Sequence, residues 1–329
     1  MRYYARKLGF YLVALWAALT LNFFIPRMMP GNPVDALLGK LQQRGGQVGP
    51  EVRESYEVLL GSDSGEPLWN QYFSYLGNLA RGDLGIATSA FPAKVTDVIG
   101  QSLPWTVGLV GIATLLSFAL GVVLGAVVGW RRGSWLDSLV PATTVLSAVP
   151  YFWLALIFVL VFSSNLGWFP LNHGYDVALA TGWNVEFVSS VIEHGTLPAL
   201  TIVVSSVGGW LLGMRNMMVS TISEDYILTA QAKGLTNRRI MTRYAARNAV
   251  LPSVAGFAIS LGFVVSGSII TEQVFSYPGI GSRLLSAVQN SDYALMQGIF
   301  LVITVAVLGA NLVVDLLYGV IDPRTRVEN

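Results

Sequence analysis

The chain has 329 residues, 53% hydrophobic and 12% charged, with a net charge of +1 and a mean hydropathy of +0.58. A soluble domain carries about 25% charged residues, so this composition excludes a disordered chain and an ordinary cytosolic enzyme and leaves a polytopic membrane protein. With no cysteine and only two histidines, His173 and His194, disulfides, thiolate metal sites, Fe–S clusters and histidine-rich metal sites are excluded. The near-neutral charge leaves no electrostatic footprint for nucleic acid.

A membrane helix needs about 20 apolar residues with few charges. Six segments meet that, at 8–26, 104–129, 138–163, 195–214, 249–271 and 295–318. The fold class expected is therefore all-α, with six transmembrane helices. Only the last segment carries a charge, Asp315, near its end, where a basic partner is expected. The first segment follows Arg2, Arg6 and Lys7 as a signal peptide would, but Phe23-Phe24-Ile25-Pro26 offers no small-residue cleavage site, so an uncleaved anchor is expected. Lys and Arg set the orientation. With the N-terminus inside, the inner segments hold Arg2, Arg6, Lys7, Arg131, Arg132, Arg215, Lys233, Arg238, Arg239, Arg243, Arg247, Arg324 and Arg326, which is 13 of the 20 basic residues. Both termini are therefore expected in the cytoplasm.

The chain divides into an anchor helix (1–26), an outer loop region (27–103), a five-helix body (104–318) whose largest inner loop spans 215–250, and a tail (319–329). In the outer loop, 51–60 and 69–79 read as helices. The second is rich in aromatics, with Trp69, Tyr72, Phe73 and Tyr75, and suits either a surface cap at headgroup depth or a platform for an external partner. Segment 2 carries Gly121, Gly125 and Gly129 at four-residue spacing, a face that lets another helix approach closely. Ser147, Ser205, Ser206, Ser260 and Ser266 can bond across helices or line a polar path, and for each of them packing is the simpler reading. Glu272 follows segment 5 and is expected to be exposed. Pro278-Gly279-Ile280-Gly281 reads as a tight outer turn that re-enters the protein.

An ion-coupled carrier needs ionisable side chains at mid-membrane, broken half-helices or a repeat, and the sequence shows none of these. An intramembrane hydrolase built on Ser266 or Ser268 finds no histidine placed beside either serine by any motif. The chain has no G-x-x-x-x-G-K-[ST] loop, so uphill transport needs an energising partner. The stretch 215–252 reads as helix, turn, helix. A first arm covers 219–232, Gly234 makes the bend, Thr236 and Asn237 cap the second arm, and Pro252 opens segment 5. Arg239, Arg243 and Arg247 repeat every four residues along that second arm as a basic stripe. Anionic lipid accounts for the arginines; a docking knob for a cytosolic partner also accounts for the projecting hairpin.

These residues resemble a known family. Asp225-Tyr226-Ile227, then Thr229-Ala230-Gln231-Ala232-Lys233-Gly234-Leu235, then Arg247-Asn248-Ala249-Val250-Leu251-Pro252 resemble the EAA loop of ABC importer permeases. The variant is similar to that of the B-type permeases of the dipeptide, oligopeptide and nickel group. Matching pieces stand in order through nearly the whole chain. They are Pro30-Gly31-Asn32-Pro33, Gly82-Asp83-Leu84-Gly85, Leu103-Pro104 with Thr106, Ser147 with Pro150 and Phe152-Trp153, Glu272 with Val274-Phe275 and Pro278-Gly279-Ile280-Gly281, and Asp322-Pro323-Arg324. Two departures from the general signature are Leu228 at the glutamate position and a longer gap between Gly234 and Pro252.

The resemblance implies a type I ABC importer permease fold in the bacterial inner membrane. It implies no catalytic residue, metal or cofactor on this chain, with ATP and Mg held by partner subunits. The implied partners are a second, C-type permease, two ATP-binding subunits or domains, and an extracytoplasmic solute-binding protein. The ATPase-coupling residues it implies are Thr229, Ala230, Ala232, Lys233, Gly234, Leu235, Arg239 and Arg243, and the path or outer-mouth residues are Ser147, Ser266, Glu272, Phe275, Tyr277 and Pro278. Peptides are the implied cargo, with nickel chelates and oligosaccharides as alternatives.

Overall fold

The computed structural model describes residues 2–29, 33–43, 45, 49–60 and 67–321. Pro30-Gly31-Asn32, Asp322-Pro323-Arg324 and most of the tail lie outside the described residues. Among the described residues the chain is helical, with a single isolated β-bridge between Ile86 and Lys94. Arg6–Met28, Val95–Trp130, Val185–Ile222 and Tyr293–Asp315 are long and apolar enough to cross a membrane. Two bent pairs complete six candidate spans, Val140–Ala148 with Tyr151–Asn165 and Asn237–Ala249 with Leu251–Val264. The all-α polytopic fold expected from the sequence is thus present, with two of its spans bent.

The chain forms two compact units. The first comprises residues 1–105 and 279–329. It holds α1 (Arg2–Arg27), α2 (Pro33–Gln43), α3 (Pro50–Leu60), α4 (Leu68–Ala80) and the start of α5 (Val95–Trp130). Near the other end of the chain it adds two helices, Ile280–Gln289 and Tyr293–Ile321. The Tyr293 helix runs antiparallel to α1. At one end the Asp315 carboxylate takes Lys7 Nζ at 3.0 Å and the Tyr11 hydroxyl at 2.9 Å. At the other, Asn22 Nδ2 donates to the Gln297 carbonyl at 2.8 Å. The basic partner expected for Asp315 is therefore Lys7. The buried Asp292 carboxylate caps the same helix through Leu295 N and accepts from the amide and hydroxyl of Ser89, fixing the 88–90 turn against it.

The second unit, residues 106–278, is built on α5 and a 38-residue helix, Val185–Ile222. The three glycines of α5 face this helix, as their spacing requires. A Cβ on Gly129 would lie 2.6 Å from Met218 Cβ, and one on Gly125 would lie 2.9 Å from Met214 Cβ. Before the long helix come α6 (Leu139–Ala148) and α7 (Tyr151–Phe158), the latter extended by wider π-type turns over Val159–Asn165. The apolar run 138–163, a single segment in the sequence, is bent by 93° between Val140–Ala148 and Tyr151–Asn165. The cause is Pro150: Val149 before it is extended (φ −69, ψ 128), as the residue preceding a proline must be to avoid its ring. The long helix is α8. After it come α9 (Asp225–Ala232), α10 (Asn237–Arg239), π-type turns over Ile240–Ala245, α11 (Ala246–Ala249), α12 (Leu251–Val264) and α13 (Ile269–Val274). The two helices of the first unit at 280–289 and 293–321 are then α14 and α15.

Candidate functional site

The 225–249 hairpin is built from α9, a turn, and α10–α11. Its first arm was expected as one helix over 219–232. Instead α8 stops at Ile222, Glu224 is extended (φ −75, ψ 144), and α9 restarts at Asp225. The bend is a glycine-terminated cap of the Schellman type. Gly234 has φ +70, its N–H donates to the Gln231 carbonyl at 2.9 Å, and the Leu235 N–H reaches the Ala230 carbonyl at 3.3 Å. Thr236 stands at the N-cap position of the second arm with extended dihedrals, but its side chain makes no capping bond.

The hairpin sits on an apolar base. Ile227, Ala230, Ile240, Ala245 and Ala249 cluster with Ala126 of α5 and with Met214 and Met218 of α8, and Leu235, Met241 and Tyr244 pack around them. This divides the coupling residues read from the sequence. Ala230 is buried, and Leu235 is half-buried as the apolar partner of the cap, so both belong to the base. Thr229, Ala232, Lys233, Gly234, Arg239 and Arg243 are exposed. Arg238, Arg239 and Arg243 line a concavity of about 450 Å³ with Thr236 and Thr242. Arg247, beyond the π-type turns, is exposed but does not line it, so the regular four-residue stripe is interrupted. The second arm passes into α12 with a bend of 49° at Val250, and Pro252 lies in the first turn of α12. Beside the hairpin's root, Asp137 receives two bonds from the Arg215 guanidinium, at 2.8 and 3.0 Å. The Arg215 bonds, helped by the Gly133 amide, hold its carboxyl below the usual carboxylate range.

The second candidate region lies on the chain after α12. Segment 5 was expected to run to 271 and to leave Glu272 exposed. In the structure α12 ends at Val264, Gly267 turns the chain at φ +71, and α13 folds back against α7 and α8. Glu272 is consequently fully buried, with Thr106 Oγ1 donating to its Oε1 at 2.8 Å. Gly267 is required twice over, by its dihedral and by space, since a Cβ there would lie 2.8 Å from Glu272 Oε1. Phe275 and Tyr277 are also buried; the Phe275 carbonyl accepts from the His173 amide at 2.9 Å, and burial, with the Glu272 charge adding to it, pushes the Tyr277 phenol up to about 12. Pro278 is half-buried, and Gly279 stands at the N-cap of α14 with extended dihedrals.

Ser147 and Ser266 belong to neither cluster. Ser147 lies against Gly208 of α8, and the Ser266 hydroxyl bonds the Phe263 carbonyl within its own helix end. The Ser268 hydroxyl donates to Thr271. Both histidines line a different concavity of about 600 Å³ together with Asp176, Glu186 and Glu193. Among the described residues no group of three or more His, Cys, Asp or Glu side chains is placed to hold a metal.

Residues 121–327 match the family described as binding-protein-dependent transport system inner membrane component. The chain is 32% identical to a di/tripeptide transport system permease of Pseudomonas aeruginosa over 99% of both chains. It is 30% identical to an oligopeptide transport system permease of Bacillus subtilis over 92% of both, and 30% identical to a dipeptide transport system permease of Escherichia coli over 99% of both.

Proposed function

The chain belongs to the binding-protein-dependent transport system inner membrane components, and on that premise we propose that it is one permease subunit of an ATP-driven peptide importer. An extracytoplasmic binding protein delivers the peptide, a second permease completes the path, and one of two ATP-binding subunits grips the 225–249 hairpin from the cytoplasm. Peptide as the cargo rests on the printed names of relatives aligned over nearly their whole length.

The observation that carries the coupling role is the hairpin's construction. Its inner side is locked to α5 and α8 by an apolar cluster, and its second arm continues into α12 across a 49° bend with no intervening loop. A push on the exposed side therefore reaches three membrane helices without passing through a floppy loop. The exposed side is cationic, with Lys233, Arg238, Arg239 and Arg243, which suits an acidic groove. The broken third span gives no support to an ion-coupled carrier, because no Asp, Glu, Lys or Arg occurs between Asp137 and Asp176.

The test is Gly234→Trp in the reconstituted importer. A Cβ at Gly234 meets nothing within 4 Å, so the base should survive while the left-handed turn is strained and its exposed tip blocked. Membrane insertion is expected to persist while peptide-dependent ATP hydrolysis and uptake separate. Normal uptake by this variant would refute the docking role.

A further inference from the structure

The outer helix α4 has three distinct sides. Successive residues of a helix are turned by about 100°, so Tyr72, Tyr75 and Leu79 share one side, Trp69, Phe73 and Ala80 a second, and Asn70, Ser74 and Asn78 a third. The first side is held against α1. Tyr72 is 6% exposed, its hydroxyl lies 2.7 Å from Thr20 Oγ1, and the Tyr75 hydroxyl accepts from Asn22 Nδ2 at 3.4 Å. The ring of Phe23 meets Tyr72 edge-on at 5.3 Å and Tyr75 at 5.5 Å. The other two sides are open. Trp69 and Phe73 are each 66% exposed, and Asn70, Ser74, Asn78 and Ala80 are exposed as well. No residue of α4 is charged.

The contacts with α1 fix the depth. Thr20, Asn22, Phe23 and Phe24 all lie inside the span Arg6–Met28. At 1.5 Å per residue, Phe24 is about 6 Å and Thr20 about 12 Å below the outer end of that span. Helices that lie in the membrane plane sink their apolar face about 5–10 Å into the boundary between headgroups and acyl chains. The same end of α1 carries Leu21 and Ile25, 58% and 51% exposed, so the surface beside α4 is the lipid-facing surface of a span. An external protein partner would have to reach below the headgroups to cover Trp69 and Phe73.

We propose that α4 is an interfacial helix lying on its side in the outer leaflet. Phospholipid acyl chains and glycerol backbones cover Trp69, Phe73 and Ala80, and water covers Asn70, Ser74 and Asn78. Tyr72 and Tyr75 tie this helix to α1, so the outer end of the first span is set at a fixed depth. The inference concerns the membrane alone and stands whatever cargo the transporter carries.

The chain has no cysteine, so single-cysteine spin labelling, with any cysteines of the partner subunits replaced, tests this in the assembled importer. Trp69→Cys, Phe73→Cys and Asn78→Cys are labelled with a nitroxide in vesicles of phosphatidylethanolamine and phosphatidylglycerol, and collisions with oxygen and with a water-soluble nickel chelate are measured. The expected result is oxygen-dominated collision at 69 and 73 and nickel-dominated collision at 78, a ratio differing severalfold. Nickel-dominated collision at 69 and 73 would overturn the proposal in favour of a solvated platform. Shielding of both positions from both reagents would overturn it in favour of a protein cover. Ala80→Cys, on the same side as the aromatics, supplies the same reading should the aromatic replacements prevent assembly.

Discussion

Replacing Gly125 by alanine isolates the close approach of α5 and α8. The added Cβ would lie 2.9 Å from Met214 Cβ and 3.1 Å from the Arg215 amide nitrogen, and nearer still to the Leu211 carbonyl oxygen. Two of these three atoms are backbone of α8, so they move only if the helices separate. Restoring ordinary carbon contacts of about 3.5–4.0 Å requires a separation of roughly 0.5–1 Å, which forfeits a quarter to a half of each facing pair's attraction. Overpacking of this kind costs about 1–3 kcal/mol. Alanine also gains about 0.8–1.0 kcal/mol over glycine in a helix interior, which partly masks that cost. Gly108 on the same helix provides the reference, since a Cβ there meets nothing within 4 Å. Gly108→Ala carries the propensity gain without the clash, so Gly125→Ala should be less stable than Gly108→Ala by about 1–3 kcal/mol. Thermal denaturation of the purified importer, followed by size-exclusion chromatography, reads the difference as a lower midpoint for Gly125→Ala. Equal midpoints for the two variants would refute the packing argument.

The buried carboxyl and the inner ion pair give further tests. Glu272→Ala removes the acceptor for the Thr106 hydroxyl and is expected to destabilise the importer by about 1–3 kcal/mol, whereas Glu272→Gln keeps an acceptor and should cost less; equal midpoints for wild type and Glu272→Ala would show that the buried bond contributes nothing. Arg215→Gln removes the partner that lowers the Asp137 pKa. A carboxyl with a depressed folded pKa adds stability above its unfolded value, about 3.9, and loses it as the pH falls through the folded value. Wild type should therefore exceed Arg215→Gln in stability at neutral pH, modestly because the pair is partly exposed, and the gap should shrink as the pH falls below about 3.9 and close below the depressed folded value; a gap that persists in stronger acid would place the effect elsewhere.

The parts of the fold legible in the sequence are those set by local composition. Uncharged apolar runs give the spans, the Gly121, Gly125 and Gly129 spacing gives the α5–α8 contact, and Gly234 marks the hairpin bend because a left-handed turn favours glycine. The break at Val149-Pro150 was also written locally, but the apolar run continues unbroken on both sides and hid it. The Ser266-Gly267-Ser268 triplet is a similar breaker within an apolar run, and the turn at Gly267 is what takes Glu272 from the expected surface position into the interior. In α14, Ile280, Leu284 and Ala287 are buried at helical spacing, a periodic signal present in the sequence just beyond the Pro278–Gly281 turn. The Asp137–Arg215 and Lys7–Asp315 pairs join residues 78 and 308 positions apart, and no local pattern names such partners uniquely. The π-type turns over Ile240–Ala245 leave no compositional mark, so four-residue spacing alone does not reveal that Arg247 departs from the stripe.

The central claim is that the α9–α11 hairpin is gripped by an ATP-binding subunit. Site-specific cross-linking in the assembled importer tests it most directly, with cysteine placed at Ala232 or Arg239 on the exposed side and at Ser220 on α8 as a control. The account predicts cross-links from 232 and 239 to an ATP-binding subunit, with a yield that changes when nucleotide is bound, and none from 220. Positions 232 and 239 that react freely with a water-soluble thiol reagent in the intact complex, and link to no neighbour, would contradict it.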